Sequence, residues 1–344
     1  MPIDRLSALT GIKNAAGPVS ANEIADIAGA AEICCDRMSA PPDINRTGHL
    51  ICITAAFRSP VSVVRATEAV MKFRDILAIV VSGAPETNVV AMAQQLAEQN
   101  SGRVSGLMVA RMPALIMTEG WVASPVWENI REHAQAGLDA DLDQLRRRLS
   151  TQAPVGSVES VLLEDGQSSS SIAIRARHYD LVVMNRPETD GQQRLVESVL
   201  FDSGRPVMLV PPKWTPCPIG RNVIVSWTPT REASRALNDA DDLLSGAYLV
   251  TILTVDMDRT ESDCRNAGGE IAAHLARRGL SPRTCVIAPV GRTEAKAVLD
   301  HAAAIEADLI VMGGFGNSRM SEFIFGGMSR EMIRTASLPI LLAH

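Results

Sequence analysis

Short, unbroken apolar runs alternate along the chain with longer stretches whose apolar positions recur at helical spacing. Residues 75–81 (DILAIVV) and 222–227 (NVIVSW) are apolar runs of strand length. A small-residue turn and a helical pattern follow each, at 86–98 (ETNVVAMAQQLAE) and 231–244 (REASRALNDADDLL). The correspondence continues downstream. HYDLVVM at 178–184 matches EADLIVM at 306–312, and each leads through a loop and a short helix-like segment to a Pro-containing apolar strand, RPVMLV at 205–210 and LPILLA at 338–343. Filling in the middle, strands are predicted near 75–82, 103–110, 157–163, 180–184 and 206–210, with helices near 86–99, 125–150 and 167–177. The second copy reads as strands near 222–227, 247–255, 283–288, 308–312 and 339–343, and helices near 231–244, 260–278, 292–305 and 326–336.

Apolar strands without alternation must be covered on both faces, and amphipathic helices between them supply the cover. The pattern therefore predicts an α/β fold in two tandem copies, each a parallel five-stranded sheet with helices on both faces. The copies are expected at 71–212 and 213–344, joined by Pro211-Pro212-Lys213-Trp214-Thr215-Pro216-Cys217-Pro218, whose four prolines continue neither helix nor central strand. Residues 1–70 match neither copy. They are expected to be an extension outside the repeat, either poorly ordered or upstream of the true start, with Met71 as a natural first residue.

Composition narrows the function. Apolar residues make up 46% of the 344 and aromatics 3%, so the core must be aliphatic. The net charge of −6, with no long Lys/Arg run, lacks the electrostatic footprint of a nucleic-acid binder, but a local anion site of backbone N–H groups remains open. Six cysteines without a C-x-x-C pair argue against a zinc or thioredoxin-like site and for reduced thiols in the cytoplasm. No run of about 18 apolar residues suggests a membrane span, and the first residues lack a signal-peptide pattern.

One pattern carries chemistry. Residues 308–329, DLIVMGGFGNSRMSEFIFGGMS, place Gly313 and Gly316 after a strand, then nine residues, then Gly326, Gly327, Met328 and Ser329 at the start of a helix. Glycines permit close backbone approach, and a helix start offers free N–H groups and a positive dipole end. Together they suit phosphate. Turn glycines and a helix-capping serine explain the same residues without any ligand.

With this spacing the second half resembles the universal stress protein family, and residues 71–344 resemble a tandem pair of such domains. The resemblance implies a Rossmann-like, adenine nucleotide hydrolase-like fold and ATP or another adenine nucleotide on the second domain, with Mg²⁺ accompanying ATP. By the same resemblance Gly313, Gly316, Gly326, Gly327, Met328 and Ser329 would hold phosphates, and Val255 would pack near the base. Gly327 stands where the family has Ser or Thr. Thr228-Pro229-Thr230 stands where its ATP binders carry an Asp, so Thr228 offers a hydroxyl but no carboxylate. Losing a hydrogen bond to a charged acceptor weakens binding by about 1.5–3 kcal/mol. The first copy departs further: Asn185-Arg186-Pro187 replaces the glycine turn, so it is expected to bind no nucleotide. The resemblance also implies that the last strands pair, here within one molecule as a pseudo-dimer or between chains as a homodimer.

His133, His178, His274 and His301 have no i,i+4 histidine partner, and no nucleophile–base set stands out, so neither a metal site nor a catalytic residue is assigned. Two readings remain: an adenine-nucleotide-binding stress-response regulator with unidentified protein partners, or an interaction scaffold of the same fold that binds no nucleotide.

Overall fold

The computed structural model describes residues 73–84, 87–112, 124–151, 154–164, 168–255, 261–315 and 327–344. All lie in one compact unit, Arg65–His344. The extension at 1–70 falls outside the described residues, as do Gly316 and Gly326. The first copy consists of β1 (Asp75–Val81), α1 (Thr87–Gln99), β2 (Arg103–Arg111), α2 (Ser124–Leu149), β3 (Val155–Leu163), α3 (Ser170–Ala176), β4 (Leu181–Asn185), α4 (Asp190–Asp202) and β5 (Val207–Val210). The second consists of β6 (Asn222–Ser226), α5 (Arg231–Asp239), α6 (Asp241–Ser245), β7 (Leu249–Val255), α7 (Glu261–Arg277), β8 (Pro282–Ile287), α8 (Glu294–Ala304), β9 (Leu309–Gly313), α9 (Gly327–Thr335) and β10 (Ile340–Ala343).

The ten strands form one sheet in the order β3-β2-β1-β4-β5-β10-β9-β6-β7-β8. Within each copy every pair is parallel; only β5 and β10, at the seam, run antiparallel, with Ile340 opposite Leu209, Leu341 opposite Met208 and Leu342 opposite Val207. The tandem α/β reading therefore holds. The two five-stranded sheets are joined through their last strands, which removes two edges that would otherwise offer unpaired backbone to another chain.

Period-two alternation assigns side chains to the two faces. Ile76, Ala78 and Val80 of β1 enter one apolar core with Leu341 and Ala343 of β10, while Leu77 and Ile79 enter the other with Ile340 and Leu342. Each core thus contains residues of both copies. The proline-rich connection is anchored too: Asn88 Nδ2 donates to the carbonyls of Pro211 and Pro212 at 3.2 and 2.8 Å, and Trp214 is buried in the core.

The helix expected over 231–244 is two helices. Ala240 breaks it, with φ −85° and ψ 2°. Asp239 lies at the unfavourable, negative end of α5, whereas Asp241 and Asp242 fall in the first turn of α6, where carboxylates favour a new helix start.

Candidate functional site

In each copy the chain leaves the first strand in one direction and the fourth in the other, so a crevice opens outside the carboxyl ends of those two strands. In the second copy this crevice, between the ends of β6 and β9, is a cleft of about 490 Å³. That volume lies within the range of roughly 300–1,000 Å³ usual for small-molecule sites. It is lined by Ser226, Thr228, Thr230 and Ala233 from β6 and the start of α5, by Thr293 and Glu294 at the start of α8, by Met312, Gly313 and Phe315 after β9, and by Gly327, Met328, Ser329 and Glu331 of α9.

Three helix N-termini therefore face one cavity. Two begin on threonine caps: Thr230 Oγ1 accepts from the N–H of Ala233, and Thr293 Oγ1 accepts from that of Lys296, each at 3.2 Å. Thr293 also donates to Glu331 Oε1 at 2.7 Å, tying α8 to α9. The dipole ends supply partial positive charge, whereas the charged side chains on the described lining, Glu294 and Glu331, are both acidic. The cations flanking Glu294 are engaged elsewhere: Arg292 and Lys296 bind Asp300 at 2.7 and 2.5 Å. The Lys296 hydrogen bond, then that of Arg292, holds the Asp300 carboxyl below its ordinary range against a desolvation that raises it.

Of the residues picked from the sequence, Thr228, Gly313, Gly327, Met328 and Ser329 come together in this cleft. Val255 does not join them. It ends β7, on the far side of β6 from β9, half-buried against the core. Two of the five have packing duties. A Cβ on Gly313 would lie 2.5 Å from the backbone nitrogen of Ala233, so this glycine lets β9 pass against the first turn of α5. Ser329 is buried, and its Oγ accepts the N–H of Phe315 at 3.1 Å. It holds the turn after β9 against α9, and its own hydroxyl proton remains a donor. A Cβ on Gly327 would meet no described atom within 4 Å, so packing among the described residues does not require a glycine there.

Phe315 was not picked from the sequence. It adopts φ +57°, a left-handed conformation that a bulky residue holds at a strain of about 1–3 kcal/mol. No local sequence signal announces it, since a glycine would be expected there. Thr230, Thr293 and Glu331 were also missed. The first two carry a signal, a threonine just before a helical pattern that follows a strand.

The corresponding crevice of the first copy is nearly filled, although a cavity of about 360 Å³ lies on the other side of the β1 end, among Val81, Gly83, Thr87, Met108, Asp141 and Arg148. Between the ends of β1 and β4 the space is about 10 Å³, lined by Ile79, Val81, Met184, Leu195 and Val196 among others. Only residues 186–189 separate β4 from α4, against 314–326 between β9 and α9. The helix start is also occupied by its own side chains. Thr189 accepts from the N–H of Gln192, and Gln192 Oε1 accepts from the N–H groups of Glu188 and Thr189 at 2.8 and 3.2 Å.

Comparisons with known proteins agree with this architecture. A family model described as Universal stress protein family matches residues 236–344. A universal stress protein from Archaeoglobus fulgidus is similar in structure, with a TM-score of 0.61 at 16% identity over 79% of this chain and 98% of its own. A putative universal stress protein from Pseudomonas aeruginosa follows with a TM-score of 0.50 at 13% identity, over 80% of this chain and 95% of its own. At these identities the likeness is one of fold. No curated protein matches the sequence.

Proposed function

Residues 236–344 belong to the universal stress protein family, and from that premise we propose that the chain is an adenine-nucleotide-responsive binding protein whose second copy takes the nucleotide and whose first copy takes none. The observation that carries this reading is the contrast between the two crevices. Between β6 and β9 lies a cleft of about 490 Å³ faced by three helix starts; between β1 and β4 the space is about 10 Å³, the first copy's larger cavity of about 360 Å³ lying instead between the β1 end and α2. The phosphates lie against the turn that begins at Gly313 and the helix start at Gly327 and Met328, where main-chain N–H groups and the helix dipole stabilise negative charge. Thr228 and Thr230 offer hydroxyls to the nucleoside. Mg²⁺ accompanying ATP offsets the repulsion between phosphates and the Glu294 and Glu331 carboxylates; AMP needs less of that offset.

The bound nucleotide biases the surface that protein partners meet, provided it binds one arrangement of that surface more tightly than another. The cysteine usage of the sequence fits action in the cytosol. A second reading, an interaction scaffold without nucleotide, draws on one observation: the described lining carries two carboxylates and no Lys or Arg.

The test is to denature the purified chain, assay the supernatant for adenine nucleotides by anion-exchange chromatography, and titrate ATP calorimetrically into the wild type and Gly316→Val. Released nucleotide, or wild-type binding lost in the variant, supports the nucleotide reading. No released nucleotide and no heat at millimolar ATP overturn it in favour of the scaffold.

A further inference from the structure

The turn that forms one wall of the cleft is held from outside its own copy. The ring of Phe315 packs on Phe201, at the end of α4 in the first copy, with centroids 5.0 Å apart and planes tilted by 52°. Phe201 is met edge-on by His344 at 4.7 Å, and His344 Nδ1 lies 3.0 Å from the carbonyl of Gly314. Gly314 in turn donates its N–H to the Ala343 carbonyl at 2.8 Å. A Cβ on Gly314 would lie 2.8 Å from Leu200 Cδ2, so the absence of a side chain there lets α4 approach the turn. The seam continues along the two helices. Asp190, at the start of α4, pairs with Arg334, at the end of α9, and Glu197 lies 3.8 Å from Arg330. The arginines of these pairs are 45% and 43% exposed, so solvent screens both pairs. Phe315 is 8% exposed, so the aromatic contact is the buried one.

We propose that Phe201 is a positioning residue for the cleft: the first copy, which has lost its own crevice, clamps Phe315 and thereby sets the geometry of the Gly314–Phe315 turn that a ligand meets in the second copy. This rests on the reading that the cleft takes an adenine nucleotide. The physical basis is that Phe315 holds a left-handed backbone that its side chain disfavours. Contacts from both copies bear on it, among them the bond from its N–H to Ser329 Oγ inside the second copy and the packing of its ring on Phe201 across the seam. Removing the ring of Phe201 takes away the aromatic packing that the first copy supplies, and the turn then samples other conformations more often. A ligand that needs the clamped turn binds more weakly by the fraction of time the turn is lost.

The experiment uses the full chain as wild type, Phe201→Ala, Phe201→Leu and Phe201→Tyr. It reads hydrogen exchange of the Gly314 and Phe315 amides, with β1 and β7 amides as the reference for global stability, together with ATP titration. The expected result for the Ala and Leu variants is at least tenfold faster exchange at Gly314 and Phe315 relative to the reference amides. Their ATP affinity falls about tenfold, and Tyr restores both. If the Ala variant does not fold, Leu, which retains most of the volume without the ring, decides. Unchanged relative exchange at the turn overturns the clamp, as does a wild-type ATP affinity retained in the Leu variant. If the wild type itself binds no ATP, the nucleotide reading fails while the exchange result still decides whether Phe201 positions the turn.

Discussion

Gly313 separates two explanations for a glycine in a phosphate-loop pattern. Its missing Cβ makes room for the backbone of Ala233, a neighbour that cannot swing aside as a flexible side chain could. Gly313→Ala is therefore expected to destabilise the protein by about 1–3 kcal/mol in urea unfolding, with no ligand present. A variant of full stability that has lost ATP binding would instead mean that the glycine serves the ligand. Glu232, on the same first turn of α5, is buried and titrates with a consequence for folding. Burial pushes its carboxyl pKa up. Hydrogen bonds from its own backbone N–H, from Arg231 and from Thr230, with the Arg231 charge, outweigh that, so the folded-state value is lowered. A depressed carboxylate pKa contributes stability that is complete above the unfolded value and is lost as pH falls through the folded one. Melting temperature followed from pH 7 down through the carboxylate range should thus decline in the wild type, and Glu232→Gln should show a shallower decline. Parallel curves would remove Glu232 from the account.

At the scale of elements, helix starts matter more than the strands that precede them. Thr230→Ala removes one cap, whereas Thr293→Ala removes a cap together with the Thr293–Glu331 bond between α8 and α9. Each is expected to reduce stability by about 1 kcal/mol. Both should weaken ATP binding, Thr230→Ala by removing a hydroxyl offered to the nucleoside and Thr293→Ala by loosening two of the three helix starts around the cleft; an affinity unchanged in Thr293→Ala would argue against that second role. These elements also mark how far the sequence could be read. The central strands were legible because each is a short apolar run whose neighbours are helical in period, the repeat of DLVVM as DLIVM aligned the copies, and the edge strands β3 (VGSVESVLL) and β8 (PRTCVI), mixed in polarity, were placed by filling in the repeat. The break at Ala240 was not legible, since the apolar spacing of 231–244 runs on through it and only the placement of the aspartates marks a new start. Gly327, Met328 and Ser329 were readable from local spacing. Glu331 and Phe315 were not, because they reach the cleft through the packing of α8 against α9 and of α4 against the turn after β9, and neither contact leaves a local pattern.

At the scale of the molecule, the seam decides whether the two copies act as one body. Had they been separate domains on a linker, each would have its own core and its own unfolding transition. Here β5 and β10 pair in the middle of one sheet, and the apolar layer on each face runs from Ile76 or Leu77 in the first copy through to Leu341 or Leu342 in the second. Exposing either copy would uncover half of both layers, and burial of each large aliphatic side chain is worth about 1.5–3 kcal/mol. Calorimetry should accordingly give one unfolding transition whose van't Hoff and calorimetric enthalpies agree. Leu341→Pro should lower its temperature sharply without splitting it, because β10 has a neighbour on both sides and proline lacks the N–H its ladder uses. Two resolved transitions in the wild type would mean that the halves fold independently, and the copy without a crevice would then have no mechanical hold on the copy with one.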